Sequence, residues 1–191
     1  MITRNELFRA IPLFDSGLTD KEISSFSVKH KQGKGLVRYL YGYAETEEEN
    51  RTMRTYIVRD NKNDEFVGYY SLKAGMISIN EQRVEGKVLF DTMPGIELAN
   101  FAVNDTYISR YDEIKGCGIM IFYDLIMPII YDVSEKIGVN LIYIFSLPFD
   151  ALINRYSKYG FKRLSSDQEK ALHKRVKPNY DTGCIFMYQE L

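Results

Sequence analysis

Gly116 and Gly118 stand at the junction between a strand-like stretch and a helical one, in the sequence Lys-Gly-Cys-Gly. The apolar run 96–103 precedes them, and apolar residues at helical spacing follow from Ile119. Glycine leaves neighbouring backbone N–H groups accessible because it has no Cβ. The first turn of a helix carries a partial positive charge. This arrangement predicts a loop that binds phosphate.

Tyr156 stands four residues before a Gly-Phe pair, in the sequence Tyr-Ser-Lys-Tyr-Gly-Phe. A phenol has an ordinary pKa of about 10, so it stays protonated near neutral pH and can donate a proton. The chain contains 15 tyrosines, and the alternative for this one is a ring packed beneath the edge of a sheet. Three carboxylates on or after the 96–103 strand are candidates for a general base, namely Glu97, Asp105 and Glu113.

Hydrophobic periodicity and turn residues predict the elements that position these groups. The predicted strands are 55–58, 65–72, 96–103, 141–147, 161–164 and 184–189. The predicted helices are 19–30, a second helix from Leu36 with Glu45–Glu49 as its solvated acidic end, 116–136, 150–158 and part of 166–174. Residues 80–94 are interpreted as a loop with at most a short strand at 87–90. Pro128 is expected to kink or divide the long helix.

Two of these strands are expected to run parallel. The segments 96–103, 116–136 and 141–147 form a strand–helix–strand unit, for which a right-handed crossover is the rule. Residues 141–145 are apolar on both faces, which is typical of a central strand covered on both sides. The sequence therefore predicts a mixed α/β fold with a predominantly antiparallel sheet, in a single domain that spans 1–191.

The order of strand, glycine loop, helix, strand, helix and Tyr-x-x-x-Gly-Phe resembles that of the Gcn5-related N-acetyltransferases (GNATs), over roughly half of the chain. The resemblance implies the acyl-CoA N-acyltransferase fold, a mixed, mainly antiparallel sheet flanked by helices. In that fold the two parallel strands splay apart and admit the pantetheine arm of CoA. The implied activity is transfer of an acetyl group from acetyl-CoA to a primary amine, by direct attack on the thioester.

The resemblance also assigns roles to individual residues. The backbone N–H groups of 114–119 would hold the pyrophosphate, with Lys115 adding a charge, and the N–H of Phe101 would face the thioester carbonyl. Tyr156 would protonate the sulfur, and Glu97 would accept the proton of the amine, directly or through water, with Glu113 and Asp105 as alternatives. The expected cofactor-binding residues are Phe101, Ala102, Val103, Ile114, Lys115, Gly116, Cys117, Gly118 and Ile119.

Two positions depart from the family pattern. Glu113, with Asp112 before it, stands where the phosphate loop usually has glutamine or arginine, and Phe149 replaces an asparagine that often bonds pantetheine. Acidic groups beside a pyrophosphate are unfavourable unless they turn away. A non-catalytic protein that keeps the GNAT fold is therefore an alternative.

The composition indicates the expected cellular location of the protein and whether disulfides or a metal are expected. The start of the chain lacks an apolar signal core, and no apolar run reaches 18 residues, so a cytoplasmic protein without a membrane segment is expected. Cys117 and Cys184 are too few for a disulfide scaffold. His30 and His173 are far apart and have no cysteine pair near them, so no metal is expected.

The N-terminal half carries a second, looser resemblance, to the GNAT branch that includes the aminoacyl-tRNA-acetylating toxins. It rests on Phe14-Asp15-Ser16-Gly17 and on the strands at 54–58 and 67–72. Those toxins pair with a ribbon-helix-helix antitoxin. The net charge of this chain is −1, whereas nucleic-acid binders usually carry a basic excess.

The expected substrate is therefore a small-molecule or peptide amine, and nucleic acid is considered unlikely. The alternative is tRNA acetylation by a toxin of a toxin–antitoxin pair, for which Arg155, Lys158 and Lys162 are best placed, supported by Lys29, Lys31 and Lys34. The preferred interpretation predicts only non-specific tRNA binding and no growth arrest on expression. A homodimer is left open.

Overall fold

The computed structural model describes residues 2–175 and 183–191. Two compact units emerge from the contacts within the chain. Unit 1 comprises Met1–Lys73 and Leu98–Asp132, and unit 2 comprises Ala74–Glu97 and Val133–Leu191. The interpretation as a single domain over 1–191 stays a prediction.

The described strands are β1 (Thr3–Arg4), β2 (Phe8–Pro12), β3 (Arg54–Asp60), β4 (Phe66–Val84), β5 (Lys87–Val103), β6 (Leu141–Ser146), β7 (Lys162–Arg163) and β8 (Ile185–Glu190). The described helices are α1 (Asp20–Ser25), α2 (Lys34–Gly42), α3 (Ala44–Glu49), α4 (Asp105–Ile108), α5 (Gly118–Met120), α6 (Met127–Lys136), α7 (Asp150–Lys158) and α8 (Ser166–Arg175). A π-helical segment, Ile121–Ile126, joins α5 to α6.

The strands are hydrogen-bonded in the order β1-β2-β3-β4-β5-β6-β8-β7. Strands β5 and β6 pair in parallel, Gly95–Glu97 with Leu141–Tyr143. The pairs β1–β2, β2–β3, β3–β4, β6–β8 and β7–β8 are antiparallel. This mixed, mainly antiparallel sheet with flanking helices confirms the predicted fold class.

Unit 1 has its core where α1–α3 cover one face of β3, β4 and β5. Ile57, Tyr69 and Ala102 come from these strands, and Phe26 and Leu40 come from the helical layer. The Phe26 ring lies near Tyr69, with centroids 5.6 Å apart. Helix α1 was predicted to run to residue 30, but it ends at Ser25 because Phe26 adopts an extended backbone and turns its ring into this core.

Helix α1 begins with the predicted capping box. The Thr19 side chain accepts from the Glu22 N–H, and the Glu22 carboxylate accepts from the Thr19 N–H. The same carboxylate accepts a 2.7 Å bond from the buried Arg59 guanidinium of β3. Arg59 also donates to the carbonyls of Ser16 and Asp64, so this pair ties α1 to the β3–β4 hairpin.

Replacing Glu22 with glutamine is expected to destabilise the protein at neutral pH and to flatten its acid unfolding. The hydrogen bond from Arg59 lowers the pKa of Glu22 from 4.5 to about 2. Since the folded pKa lies below the unfolded value, the stabilisation is complete above about pH 4.5 and is lost as the pH falls towards 2. Urea titrations of the wild type and Glu22→Gln between pH 2 and 7 measure this, with the exposed Glu45→Gln as the control. Parallel stability curves for wild type and Glu22→Gln would contradict it.

Two predictions about unit 1 and the hairpin are wrong. Glu45–Glu49 was expected to be a solvated helix end, but α3 is a separate helix and its Glu48 is buried, accepting bonds from the Arg54 side chain and the Thr55 N–H. Residues 80–94 were expected to be a loop, but β4 continues to Val84 and β5 begins at Lys87. Glu85 and Gly86 both have positive φ, which suits a tight two-residue hairpin turn. Polar composition concealed this strand pair.

The long helix continues through Pro128 without a break and contains a π-helical segment just before it. The π-helical segment ends at Ile126, and α6 begins at Met127. Proline lacks the N–H that a helical hydrogen bond requires. The Leu125 carbonyl in this segment accepts from the Thr3 hydroxyl at 3.0 Å and the Tyr70 hydroxyl at 3.4 Å, so side chains of β1 and β4 bond into the irregular turn.

Unit 2 is built around β6, whose six residues are all buried. This confirms the prediction of a strand covered on both faces. Its core includes Leu141, Tyr143 and Phe145 of β6 with Phe186 of β8 and Leu172 of α8. Within the described residues, no helix is long and apolar enough to cross a membrane.

Candidate active site

The glycine loop lies in unit 1, between a short 3-10 turn (Asp112–Ile114) and α5. Gly116 has a φ of +87°, and a Cβ placed on it would meet no atom within 4 Å. A left-handed backbone with open space beside it is the conformation that glycine allows at low cost. Lys115 and Glu113 are both exposed. The side chain of Asp112 lies outside what the structure describes.

The loop's own turns use part of its hydrogen-bonding capacity. The N–H groups of Ile114, Cys117 and Ile119 donate to the carbonyls of Tyr111, Ile114 and Gly116. Within the described residues, no such turn bond uses the N–H of Gly116 or Gly118. Of the six N–H groups predicted to hold phosphate, the two glycine donors are therefore better placed than these three.

Cys117 is the buried residue between the two glycines of the loop. Its side chain is 2% exposed, and burial raises the pKa of its thiol to about 11. A thiol with such a pKa is protonated at neutral pH and makes a poor nucleophile. Its place in the loop is that of a small buried residue.

The end of β5 presents main-chain groups at the edge of unit 1. The Asn104 N–H donates to the Val67 carbonyl at 2.8 Å, and the Ala102 carbonyl lies against Gly68, where a Cβ would overlap it. These contacts place the main-chain groups of Ala102 and Asn104 towards β4. Because a strand alternates, the N–H and C=O groups of Phe101 and Val103 face the opposite edge of β5. That is the orientation required for the roles the resemblance assigns to them.

Replacing Gly116 with alanine is expected to weaken acetyl-CoA binding roughly 10- to 100-fold, the loss of about one hydrogen bond to a charged group. The added Cβ would occupy the open space beside the loop, where the proposed phosphate would lie, and it strains the positive φ. Gly17→Ala is a matched control, because Gly17 also has positive φ (+61°) and open space beside it. Both changes should cost about 1–2 kcal/mol of folding free energy. Isothermal titration separates the two effects, and equal acetyl-CoA affinity in both variants would contradict the assignment.

Tyr156 lies in α7 of unit 2 and is buried. Its ring packs edge-on against Tyr159 and Phe161, with centroids 5.9 and 5.7 Å apart. Burial raises the pKa of the Tyr156 phenol, so it stays protonated at neutral pH. Its hydroxyl forms no hydrogen bond within the described residues, and it is not one of the buried polar atoms that lack a partner there.

Glu97 lies in unit 2, paired in register with Tyr143 on β6. The Tyr143 hydroxyl donates to the Glu97 carboxylate at 3.4 Å. Burial, and then the Glu97 charge, raises the pKa of Tyr143. This hydroxyl also lies directly over Gly75, where any side chain would overlap it. The alternative bases, Asp105 and Glu113, belong to unit 1. The candidate cofactor residues thus belong to unit 1, and Tyr156 and Glu97 to unit 2.

No group of three or more His, Cys, Asp or Glu side chains within the described residues could hold a metal ion. The reaction inferred from the resemblance uses hydrogen bonds and proton transfer from this chain's own groups.

The sequence matches no protein-family model and no curated protein. A tyrosine-to-phenylalanine mutant of KacT has a similar structure, with a TM-score of 0.68 at 14% identity over 96% of this chain and 95% of that chain. A tyrosine-to-phenylalanine mutant of the AtaT toxin, bound to acetyl-CoA and the C-terminus of the antitoxin AtaR, gives a TM-score of 0.64 at 15% identity over 97% and 94%. AtaT complexed with acetyl-methionyl-tRNAfMet gives 0.61 at 15% identity over 94% and 93%. The chain has the GNAT fold.

The GNAT neighbours overturn the expected partner. The preferred interpretation was a small-molecule or peptide amine, with nucleic acid unlikely. AtaT, however, is complexed with an acetylated aminoacyl-tRNA and also binds an antitoxin segment. The expectation is therefore wrong. It depended on the net charge of −1, which averages over segments of opposite sign.

The net charge of the whole chain conceals a basic segment. Residues 155–175 contain seven Lys and Arg and two Asp and Glu, a net charge of +5, in a chain whose total is −1. Arg155 and Lys158 of α7 and Lys162 of β7 are exposed and form no ion pair within the described residues. Arg163 is paired with Glu169 at 3.0 Å. The segment begins one residue before Tyr156, and its charge suits a polyanion.

Proposed function

We propose that this protein is an acetyl-CoA-dependent N-acetyltransferase that acetylates the α-amino group of an aminoacyl-tRNA. The observation that carries the proposal is a fold shared over more than nine-tenths of both chains with AtaT in complex with acetyl-methionyl-tRNAfMet. The glycine loop, the free edge of β5 and the basic segment support it from the residues of this chain.

Unit 1 would bind acetyl-CoA through its main chain. The Gly116 and Gly118 N–H groups would donate to the pyrophosphate, and Val103 would pair with the pantetheine amides. The Phe101 N–H would donate to the thioester carbonyl oxygen, where negative charge develops as the amine attacks. A main-chain donor is already oriented, so it stabilises this charge without reorganising.

The acetyl transfer needs one proton acceptor and one proton donor, and residues of this chain would supply both. The neutral amine attacks the thioester carbonyl carbon, a C–N bond forms, and the C–S bond breaks. Glu97 accepts the proton that the amine nitrogen loses, directly or through water, and Tyr156 donates a proton to the departing sulfur. A thiol of CoA has a pKa near the 8.5 of cysteine, so protonation assists its departure.

Incubation with radiolabelled acetyl-CoA and total aminoacylated tRNA tests the proposal. We expect label in acid-precipitable tRNA that mild alkali releases as an N-acetyl amino acid. Deacylated tRNA should take up no label. Expression in a bacterial host should arrest growth, as expected of a toxin, and co-expression of its antitoxin should relieve the arrest. Binding of acetyl-CoA with no labelling of any charged tRNA would refute the substrate and leave a CoA-binding protein.

A further inference from the structure

A row of polar side chains interrupts the apolar face that α1–α3 cover in unit 1. Thr55 of β3 and Ser71 of β4 are paired in register, with their hydroxyl oxygens 3.0 Å apart, and neither is more than 1% exposed. The Tyr39 hydroxyl of α2 lies 3.1 Å from the Thr55 hydroxyl. Asn100 of β5 shares the strand face of Ala102 by alternation. These four residues, Tyr39, Thr55, Ser71 and Asn100, are called the polar row.

The half-buried end of the polar row has weak hydrogen bonds. The Tyr39 hydroxyl and the Asn100 amide nitrogen both donate to the Met53 thioether, at 3.2 and 3.6 Å. A thioether is a weak acceptor. Within the described residues the Asn100 carboxamide makes no other hydrogen bond, so its oxygen is available to accept. Tyr39, Met53 and Asn100 are only partly buried, so a ligand can reach them.

The surroundings of this end favour a cation. Glu48 is buried and accepts from the Arg54 side chain and, at 2.7 Å, from the Thr55 N–H. The neighbouring Glu47 has a buried carboxylate oxygen that has no hydrogen-bond partner within the described residues. Burial first, and then the charges of Glu47 and Glu48, raises the pKa of the Tyr39 phenol. The main chain brings Glu47 to this end of the row as well, because the Met53 N–H donates to the Glu47 carbonyl at 3.4 Å.

We propose that the polar row binds the aminoacyl ester end of the substrate, with the α-ammonium group held by the Asn100 carboxamide oxygen and the Tyr39 hydroxyl. An ammonium group has three donors and no acceptor, and this end of the row supplies the oxygens of Asn100 and Tyr39. Asn100 directly precedes Phe101, whose N–H is assigned to the thioester carbonyl. The amine would therefore be held by the residue next to the one that binds the carbonyl it attacks. The inference rests on the proposed function and adds a site for the amino acid.

Ligand-observed NMR with the methyl esters of the twenty amino acids, at millimolar concentration, tests the site without acetyl-CoA or tRNA. We expect the wild type to bind at least one ester and not the corresponding ester that lacks the amino group. Asn100→Leu and Tyr39→Phe should each weaken binding roughly tenfold or more, as for a hydrogen bond to a charged group. Asn63→Leu and Tyr111→Phe, which make the same changes at other places in unit 1, should leave binding unchanged.

Asn100→Asp keeps the side-chain size and an acceptor, so it should retain ester binding even if Asn100→Leu fails to fold. Absence of ester binding by the wild type, or equal binding by Asn100→Leu and Asn63→Leu, would overturn the site whether or not charged tRNA is acetylated. Ester binding that depends on Asn100, without labelling of any charged tRNA, would uphold the site and refute the proposed substrate. The two failures are thus distinguishable.

Discussion

Tyr156→Phe is expected to lower kcat for acetyl transfer by roughly ten- to ten-thousand-fold, the range for loss of a general acid. The ring remains and still packs against Tyr159 and Phe161, so acetyl-CoA affinity and thermal stability should change little. Because burial raises the pKa of Tyr156, the wild-type rate should not fall from ionisation of this phenol up to at least pH 9.

Steady-state kinetics with charged tRNA, and titration with acetyl-CoA, measure these two quantities separately. Tyr159→Phe is the matched control, since it removes a hydroxyl from another buried ring three residues along. It should keep the wild-type kcat. Turnover of Tyr156→Phe at the wild-type rate would show that Tyr156 serves in packing alone.

Reversing Arg155, Lys158 and Lys162 to glutamate is expected to weaken tRNA binding at least a hundredfold at physiological salt. Each lost phosphate contact should also reduce the slope of log K against log salt by about one. The three side chains are exposed, so the change removes charge without disturbing the core, and acetyl-CoA affinity should be unchanged.

Filter binding over a range of salt concentrations measures this effect. Reversal of Lys21, Arg51 and Lys62, three exposed cations of unit 1, alters the net charge equally and is the control. Its effect on tRNA affinity should be much smaller. Equal losses in the two triple variants would mean that total charge, and not the basic segment, governs binding.

Local patterns predicted most of the fold. Helix α7 has the predicted bounds, 150–158, because a regular apolar spacing identifies a short amphipathic helix. Residues 80–94 were mistaken for a loop because their mostly polar sequence shows no alternation of apolar and polar residues, although β4 and β5 pass through them. Glu48 was placed in solvent because its partners, Arg54 and Thr55, belong to the next strand and not to its own helix.

The candidate site was predictable only where it is contiguous. The glycine loop and Tyr156 each belong to one short segment, so their spacing could be recognised. The polar row brings together side chains from α2, β3, β4 and β5, and no periodicity links Thr55, Ser71 and Asn100. The basic segment was visible in the sequence, but the sum over the whole chain concealed it.

The long helix holds one residue more than an uninterrupted α-helix of the same span, because each bond of the π-helical segment 121–126 encloses an extra residue. Removing a single residue here, such as the exposed Tyr123, would let the turns on either side join in α-helical phase. Removing one within α6 would instead rotate all later side chains by about 100° and break their burial pattern. The segment therefore marks the part of this helix that can lose a residue during evolution without changing the burial pattern of α6. A library of single-residue deletions across 118–136, scored for soluble expression, would show survivors clustered at 121–126.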